Sequence, residues 1–203
     1  MSTFVLFFGG WQASLADVKA WTASALRQSP GVMFDAYPYP SGASAKGEEA
    51  VAKFTQAGDL AKAINKIEAS RADTIYIVGH SSGCAIANAV DAGLKDHTKT
   101  ILVALDGYCP GPAQLGRAGT QVWVAESSMG RSLHYIDLQD TVKNYDKKNK
   151  DWVWVNIYKA SDDCSTKLAL HFSLVNLSSS DDLVKFIPDG YKNCRANLSY
   201  LNP

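Results

Sequence analysis

The stretch from Thr74 to Leu94 constrains this chain most. An apolar, β-branched run, Ile75-Tyr76-Ile77-Val78, meets Gly79-His80-Ser81-Ser82-Gly83, and an alanine-rich segment of helical composition follows at once. Strand, G-x-S-x-G, helix is the order that lifts a serine onto a turn between a sheet and a helix. Such a turn is tight enough to require glycine two residues before and two after the serine. It also leaves the next backbone N–H able to meet an oxyanion. The five letters alone recur in ordinary loops. Their position between a buried-type strand and a helix is what gives them weight.

The rest of the chain repeats that order. Thr3 to Phe8 is continuously apolar, as a strand buried on both faces should be, and Gly9-Gly10 ends it. Leu15, Val18, Trp21 and Ala25 recur at helical spacing until Ser29-Pro30-Gly31 stops them. Val32 to Tyr37 reads as a second strand, followed by the stiff loop Tyr37-Pro38-Tyr39-Pro40-Ser41-Gly42. Helical sequence resumes near Glu48, and Asp59 is the expected N-cap of a helix carrying Leu60, Ile64 and Ile67. The serine strand comes third, with its helix running to about Gly93.

Further strands are predicted at Thr100 to Leu105, Gln121 to Ala125 and Trp152 to Tyr158. Helices are predicted around Ile136 to Tyr145 and from Ser180 to Ile187. Near-continuously apolar strands alternating with helices imply an α/β fold: a parallel sheet with helices on both faces. No repeat, low-complexity segment or linker interrupts the chain, so residues 1–203 are expected to form one domain. Ligands of such sheets gather at the carboxyl ends of the strands. Gly9-Gly10, Tyr37-Pro38, Ser81 and Asp106 should therefore share one rim.

Composition excludes other classes. With 46% apolar residues and a formal net charge of zero, the chain offers no basic face for nucleic acid and no polybasic patch for a membrane surface. Its four cysteines, Cys84, Cys109, Cys164 and Cys194, stand far apart, with no C-x-x-C pair and no histidine at zinc-finger spacing. Free thiols in a reducing compartment, no metal and no cofactor are expected. Phe4 to Phe8 is too short for a signal peptide and lacks a basic flank, and no stretch approaches the length of a membrane span. A cytoplasmic location is expected. The sequence leaves the oligomeric state open.

Taken with the Ser…Asp…His order of candidate residues, the Gly79-His80-Ser81-Ser82-Gly83 turn resembles the nucleophile elbow of the α/β-hydrolase fold over essentially the whole chain. Leu105-Asp106-Gly107-Tyr108-Cys109-Pro110 looks like the thioesterase branch, where the acid follows the strand after the elbow helix in an L-D-x-Y-x-P setting. The chain departs from that family in being short, which implies a minimal lid or none.

The resemblance implies acyl-enzyme chemistry, and the residues supply candidates for it. Ser81 as nucleophile needs a base, and the base needs an acid to fix its tautomer. Of four histidines, His80 lies within the elbow and is assigned to packing, and His97 to a solvated turn. His171 follows the last clear strand, where this fold carries its base on a loop; His134 is the alternative. Asp106, at the end of a buried strand, is the favoured acid, with Glu126 at the end of the next strand as competitor. Asp162 and Asp163 lie close to His171 in sequence, which makes their geometry awkward.

The amide of Ser82 and one from Gly10 or Trp11 would form the oxyanion hole, which also binds substrate. The expected activity is that of a serine esterase or thioesterase acting on a small-molecule or carrier-linked acyl substrate. Aromatic residues near the rim (Phe8, Trp11, Tyr37, Tyr39, Tyr108) favour an apolar or aromatic acyl group. The alternative is a ligand sensor or scaffold on the same fold with little or no turnover.

Overall fold

The structure is a computed structural model that describes residues 1–28, 31–128, 130–131, 155–160 and 167–175. Its centre is a parallel sheet of strands β1 (Thr3–Phe8), β2 (Val32–Tyr37), β3 (Thr74–His80), β4 (Thr100–Leu105), β5 (Gln121–Ser127) and β7 (Val155–Lys159). Their spatial order is β2-β1-β3-β4-β5-β7, every pair parallel. The two-residue β6 (Gly130–Arg131) adds a short antiparallel pair to β5.

The period of two along each strand divides the core. Val5 and Phe7 of β1, Tyr76 and Val78 of β3 and Val103 and Leu105 of β4 share one cluster with Val18 and Trp21 of α1 (Leu15–Gln28) and Leu170 of α6 (Lys167–Phe172). Phe4, Leu6, Phe8, Ile75, Ile77 and Leu102 face the other way. They meet α2 (Gly47–Gln56), α3 (Asp59–Glu68) and α4 (Gly83–Ala92). Helices thus cover both faces, as the uninterrupted apolar strands require. The short α5 (Pro112–Leu115), which the sequence reading did not foresee, buries Leu115 beside Ala104, Val122 and Val124.

Local chemistry fixes the helix starts. Ser14 and Asp17 cap α1 reciprocally: the Asp17 carboxylate accepts the Ser14 amide at 2.8 Å, and Ser14 Oγ accepts the Asp17 amide at 3.2 Å. Asp59, expected as an N-cap, is instead the first residue of α3, behind a left-handed Gly58 with φ 75°. Only Ala57 and Gly58 separate α2 from α3, so the chain must reverse at the one residue that tolerates that φ. Asp59 still sits in the first turn, where a carboxylate complements the helix dipole, and pairs with Lys62 at 2.9 Å.

β2 is less buried than its apolar sequence predicts, with Met33 exposed, because it lies at the edge of the sheet. The helices predicted around Ile136 to Tyr145 and from Ser180 to Ile187 lie outside the described residues, as does the first part of the strand predicted at Trp152 to Tyr158. No described helix is long and apolar enough to cross a membrane.

Chain order reverses between β1 and β3: after β1 the chain moves outward to β2 and then returns to β3 on the other side of β1. A crevice opens at the carboxyl ends of two strands where such a switch occurs. Gly9-Gly10 leaves β1 there, and Ser81 leaves β3.

Candidate active site

Three non-glycine residues among those described have a left-handed φ: Gln12 at 64°, Ser81 at 56° and Asp106 at 46°. Each follows the carboxyl end of a strand on the same rim, β1, β3 and β4 in turn. Backbone strain of this kind costs on the order of 1–3 kcal/mol per residue and persists where the surroundings enforce it.

The surroundings of Ser81 do so. A β-carbon on Gly79 would lie 2.5 Å from Cys84 Cα, and one on Gly83 would lie 2.4 Å from the Phe8 carbonyl oxygen. The first glycine lets the turn close on the start of α4, and the second lets α4 dock against the end of β1. The Ser81 amide donates to the Leu105 carbonyl at 2.9 Å, tying the turn to β4. Beneath it the buried Cys84 thiol donates to the Gly79 carbonyl at 3.1 Å, and burial pushes that thiol far above its ordinary range.

Asp106 is fully buried at the end of β4, where its amide donates to the Trp123 carbonyl of β5 at 2.9 Å. The next residue abuts the elbow, since a β-carbon on Gly107 would lie 2.0 Å from the Ser81 carbonyl oxygen. The Asp106 carboxylate meets His171 Nδ1, and both side chains are buried. A carboxylate oxygen accepts, so Nδ1 carries a proton, and Nε2 is the ring atom left to exchange one. His171 lies on α6 rather than on the loop expected after the last strand. Buried beside it, the His80 ring packs at a tilt on the His171 ring with centroids 4.4 Å apart and also contacts Trp21 and Phe172.

Gly10 reaches the serine from the β1 side. A β-carbon there would lie 2.7 Å from Ser81 Cβ and 3.3 Å from Ser81 Oγ. Backbone without a side chain is therefore held against the hydroxyl, followed by Trp11. Ser82 is buried, and its Oγ donates to the Ala45 carbonyl at 2.9 Å. Tyr108 donates to the same carbonyl at 3.2 Å and accepts the Gly47 amide at 2.9 Å. The loop before α2 is thus pinned beside the elbow.

Of the competing candidates, Glu126 and His97 are among the described residues. Glu126 sits further along β5, where it pairs with Lys159. His97 is not merely solvated: its Nδ1 lies 3.6 Å from the buried Asp91, which also takes Arg117 and Gln114. His134, Asp162 and Asp163 lie outside the described residues, as do Cys164 and Cys194; Cys84 and Cys109 are free thiols. Of the five rim aromatics, Phe8 and Tyr39 belong to the core and Tyr37 stacks on Phe8 at 4.8 Å. Only Trp11, 51% exposed, and Tyr108, 43% exposed, present substantial surface. Among the described residues no group of three or more His, Cys, Asp and Glu is placed to hold a metal ion.

Sequence reasoning missed the hydrogen bond between His80 and the His171 backbone and the role of Ser82 in holding Ala45. The signal for His80 was present. Alternation along β3 puts it on the same buried face as Tyr76 and Val78, where a polar ring needs a partner.

No protein-family model and no curated protein sequence matches the chain. Solved structures with a similar backbone include an alpha-beta serine hydrolase homologue from Coxiella burnetii, 15% identical, covering 82% of this chain and 79% of that one with a TM-score of 0.46. Esterase PE8 is also 15% identical, over 79% of this chain and 82% of its own, with a TM-score of 0.46. An acetylxylan esterase is 16% identical, over 83% and 88%, with a TM-score of 0.39.

Proposed function

We propose that the chain is a serine hydrolase that cleaves a small ester or thioester through an acyl-enzyme. The observation carrying this reading is the buried Asp106–His171 pair, packed against an elbow whose serine has a left-handed backbone. Ser81 Oγ attacks the substrate carbonyl while His171 Nε2 takes its proton, giving a tetrahedral oxyanion. The amide of Ser82 and that of Gly10 or Trp11 receive the negative charge. Collapse breaks the bond to the alcohol or thiol, which leaves with the proton from His171. Water then gives a proton to the same nitrogen and attacks the acyl-enzyme, releasing the carboxylic acid and restoring Ser81. Asp106 stays ionised and holds Nδ1–H, so that Nε2 remains the basic atom.

The position of Asp106 directly after β4, within Leu105-Asp106-Gly107-Tyr108-Cys109-Pro110, favours a thioesterase-like acid placement over one after β5. Trp11 and Tyr108, exposed on either side of the elbow, favour an apolar or aromatic acyl group. The test is turnover of short-chain aryl esters and acyl thioesters of matched acyl length by wild type and Ser81→Ala. Ser81-dependent turnover is expected, with a burst of leaving group of about one equivalent per chain if deacylation is the slower step. Folded wild type that turns over neither class leaves the sensor or scaffold reading in its place.

A further inference from the structure

We propose that His80, the residue immediately before the nucleophile, is a positioning residue that holds the backbone of the catalytic base. The proposal rests on the serine-hydrolase reading for its catalytic half and on geometry alone for its structural half. His80 Nε2 lies 3.0 Å from the carbonyl oxygen of His171, across 91 residues of sequence. A carbonyl only accepts, so Nε2 carries the proton and His80 is the donor.

The reason this bond matters lies in the length of α6. A helix of six residues, Lys167–Phe172, leaves its last carbonyls without intrahelical partners. Leu170 O takes the Ser173 amide at 3.2 Å and the Ser173 hydroxyl at 2.7 Å, and Phe172 O takes the Val175 amide at 3.1 Å. His171 O takes His80. The residue whose ring must point at Ser81 is therefore fixed twice. Asp106 orients its imidazole through Nδ1, and His80 orients its main chain through the carbonyl. Because His80 is peptide-bonded to Ser81, any shift of the elbow carries the base's anchor with it. Nucleophile and base are registered to each other through one side chain. The tilted ring pair, 34° between planes, and the edge contact of His80 with Trp21 at 5.9 Å keep His80 in the rotamer this requires.

The two contributions of His80, ring volume and donor, are separable. His80→Phe keeps an aromatic ring in the slot and removes the N–H. His80→Gln removes the ring but carries an amide N–H to about the same reach. A misplacement of reacting groups by about 1 Å costs on the order of a hundredfold in rate. His80→Phe is therefore expected to lose roughly 10- to 100-fold in kcat on an aryl ester with KM within about threefold of wild type. His80→Gln is expected to recover most of that loss. A folded His80→Phe with wild-type kcat, or a folded Gln variant that falls as far as the Phe variant, overturns the proposal. If the Phe variant does not fold, the Gln variant decides on its own: near-wild-type kcat supports the donor role and a full loss refutes it.

Nitrogen NMR of ¹⁵N-histidine-labelled wild type reads the bond without any activity. A proton on His80 Nε2 at neutral pH is the expected result, and an unprotonated Nε2 refutes the bond. Absence of Ser81-dependent turnover in wild type would sink the hydrolase reading and the catalytic half of this proposal with it. The NMR result would still stand or fall separately.

Discussion

Replacing Gly10 by alanine puts one methyl group where the structure has no room for it. The new carbon would lie 2.7 Å from Ser81 Cβ and 2.9 Å from the His80 carbonyl oxygen. The closest comfortable carbon–carbon contact is about 3.5 Å, so the overlap with Ser81 Cβ is 3.5 − 2.7, or about 0.8 Å. Neither neighbour is a flexible chain end: one is the β-carbon of Ser81 and the other is the backbone of His80. The strain must be relieved by pushing the β1 loop away from Ser81 or by displacing the serine. Moving the loop withdraws a candidate oxyanion donor, which costs about 10²- to 10³-fold in kcat. Moving the serine by nearly 1 Å costs on the order of 10²-fold.

Overpacking of this size destabilises by about 1–3 kcal/mol, so the variant should remain folded. Aryl-ester kinetics with urea unfolding in parallel separates the two effects. Gly116→Ala is the control, because its nearest contacts would be an ordinary 3.5 Å and 3.8 Å, and both rate and stability should hold. A Gly10→Ala variant with wild-type kcat/KM would refute the assignment of this loop to the site.

Four further outcomes follow from the structure. Asp106→Asn should lower kcat by about 10³- to 10⁴-fold through loss of the His171 tautomer, while Glu126→Gln stays within about threefold; the opposite ranking would move the acid to β5. Arg117→Met leaves the Asp91 carboxylate buried without its cation and should cost about 3 kcal/mol in urea unfolding, against a negligible change if the pair is dispensable. Burial raises the Cys109 thiol from 9.0 to about 11, so the unfolded chain ionises first. The contribution of Cys109 is then complete below about pH 9 and fades as pH rises towards about 11, read as the stability difference between wild type and Cys109→Ala. Alkylation of Cys109, followed by peptide mapping, should keep rising with pH beyond pH 9 instead of levelling off.

How much of this was legible in the sequence depends on what each feature needs. The strands β1, β3 and β4 were readable because burial on both faces leaves an uninterrupted apolar run. The mostly apolar run of β2, broken by Asp35, says nothing of its edge position, which is decided by pairing order. Whether Asp106 or Glu126 meets the histidine was not readable. Both end apolar strands, and the choice turns on a left-handed φ at Asp106 and on how far β5 runs past the rim before Glu126. The four-residue α5 carries too few positions for a periodic signal. Phe8 and Tyr39 looked like pocket walls because an aromatic at a strand end reads the same whether it faces a cleft or the core. The bond from His80 to His171 joins residues far apart in sequence through a main-chain carbonyl, a partner that no residue pattern encodes.

The most direct measurement is covalent. Wild type treated with a fluorophosphonate probe at neutral pH should gain one adduct, located by peptide mass spectrometry on Ser81, and Ser81→Ala should gain none. Folded wild type that takes up no probe, or labelling that persists in a folded Ser81→Ala variant, would contradict the account.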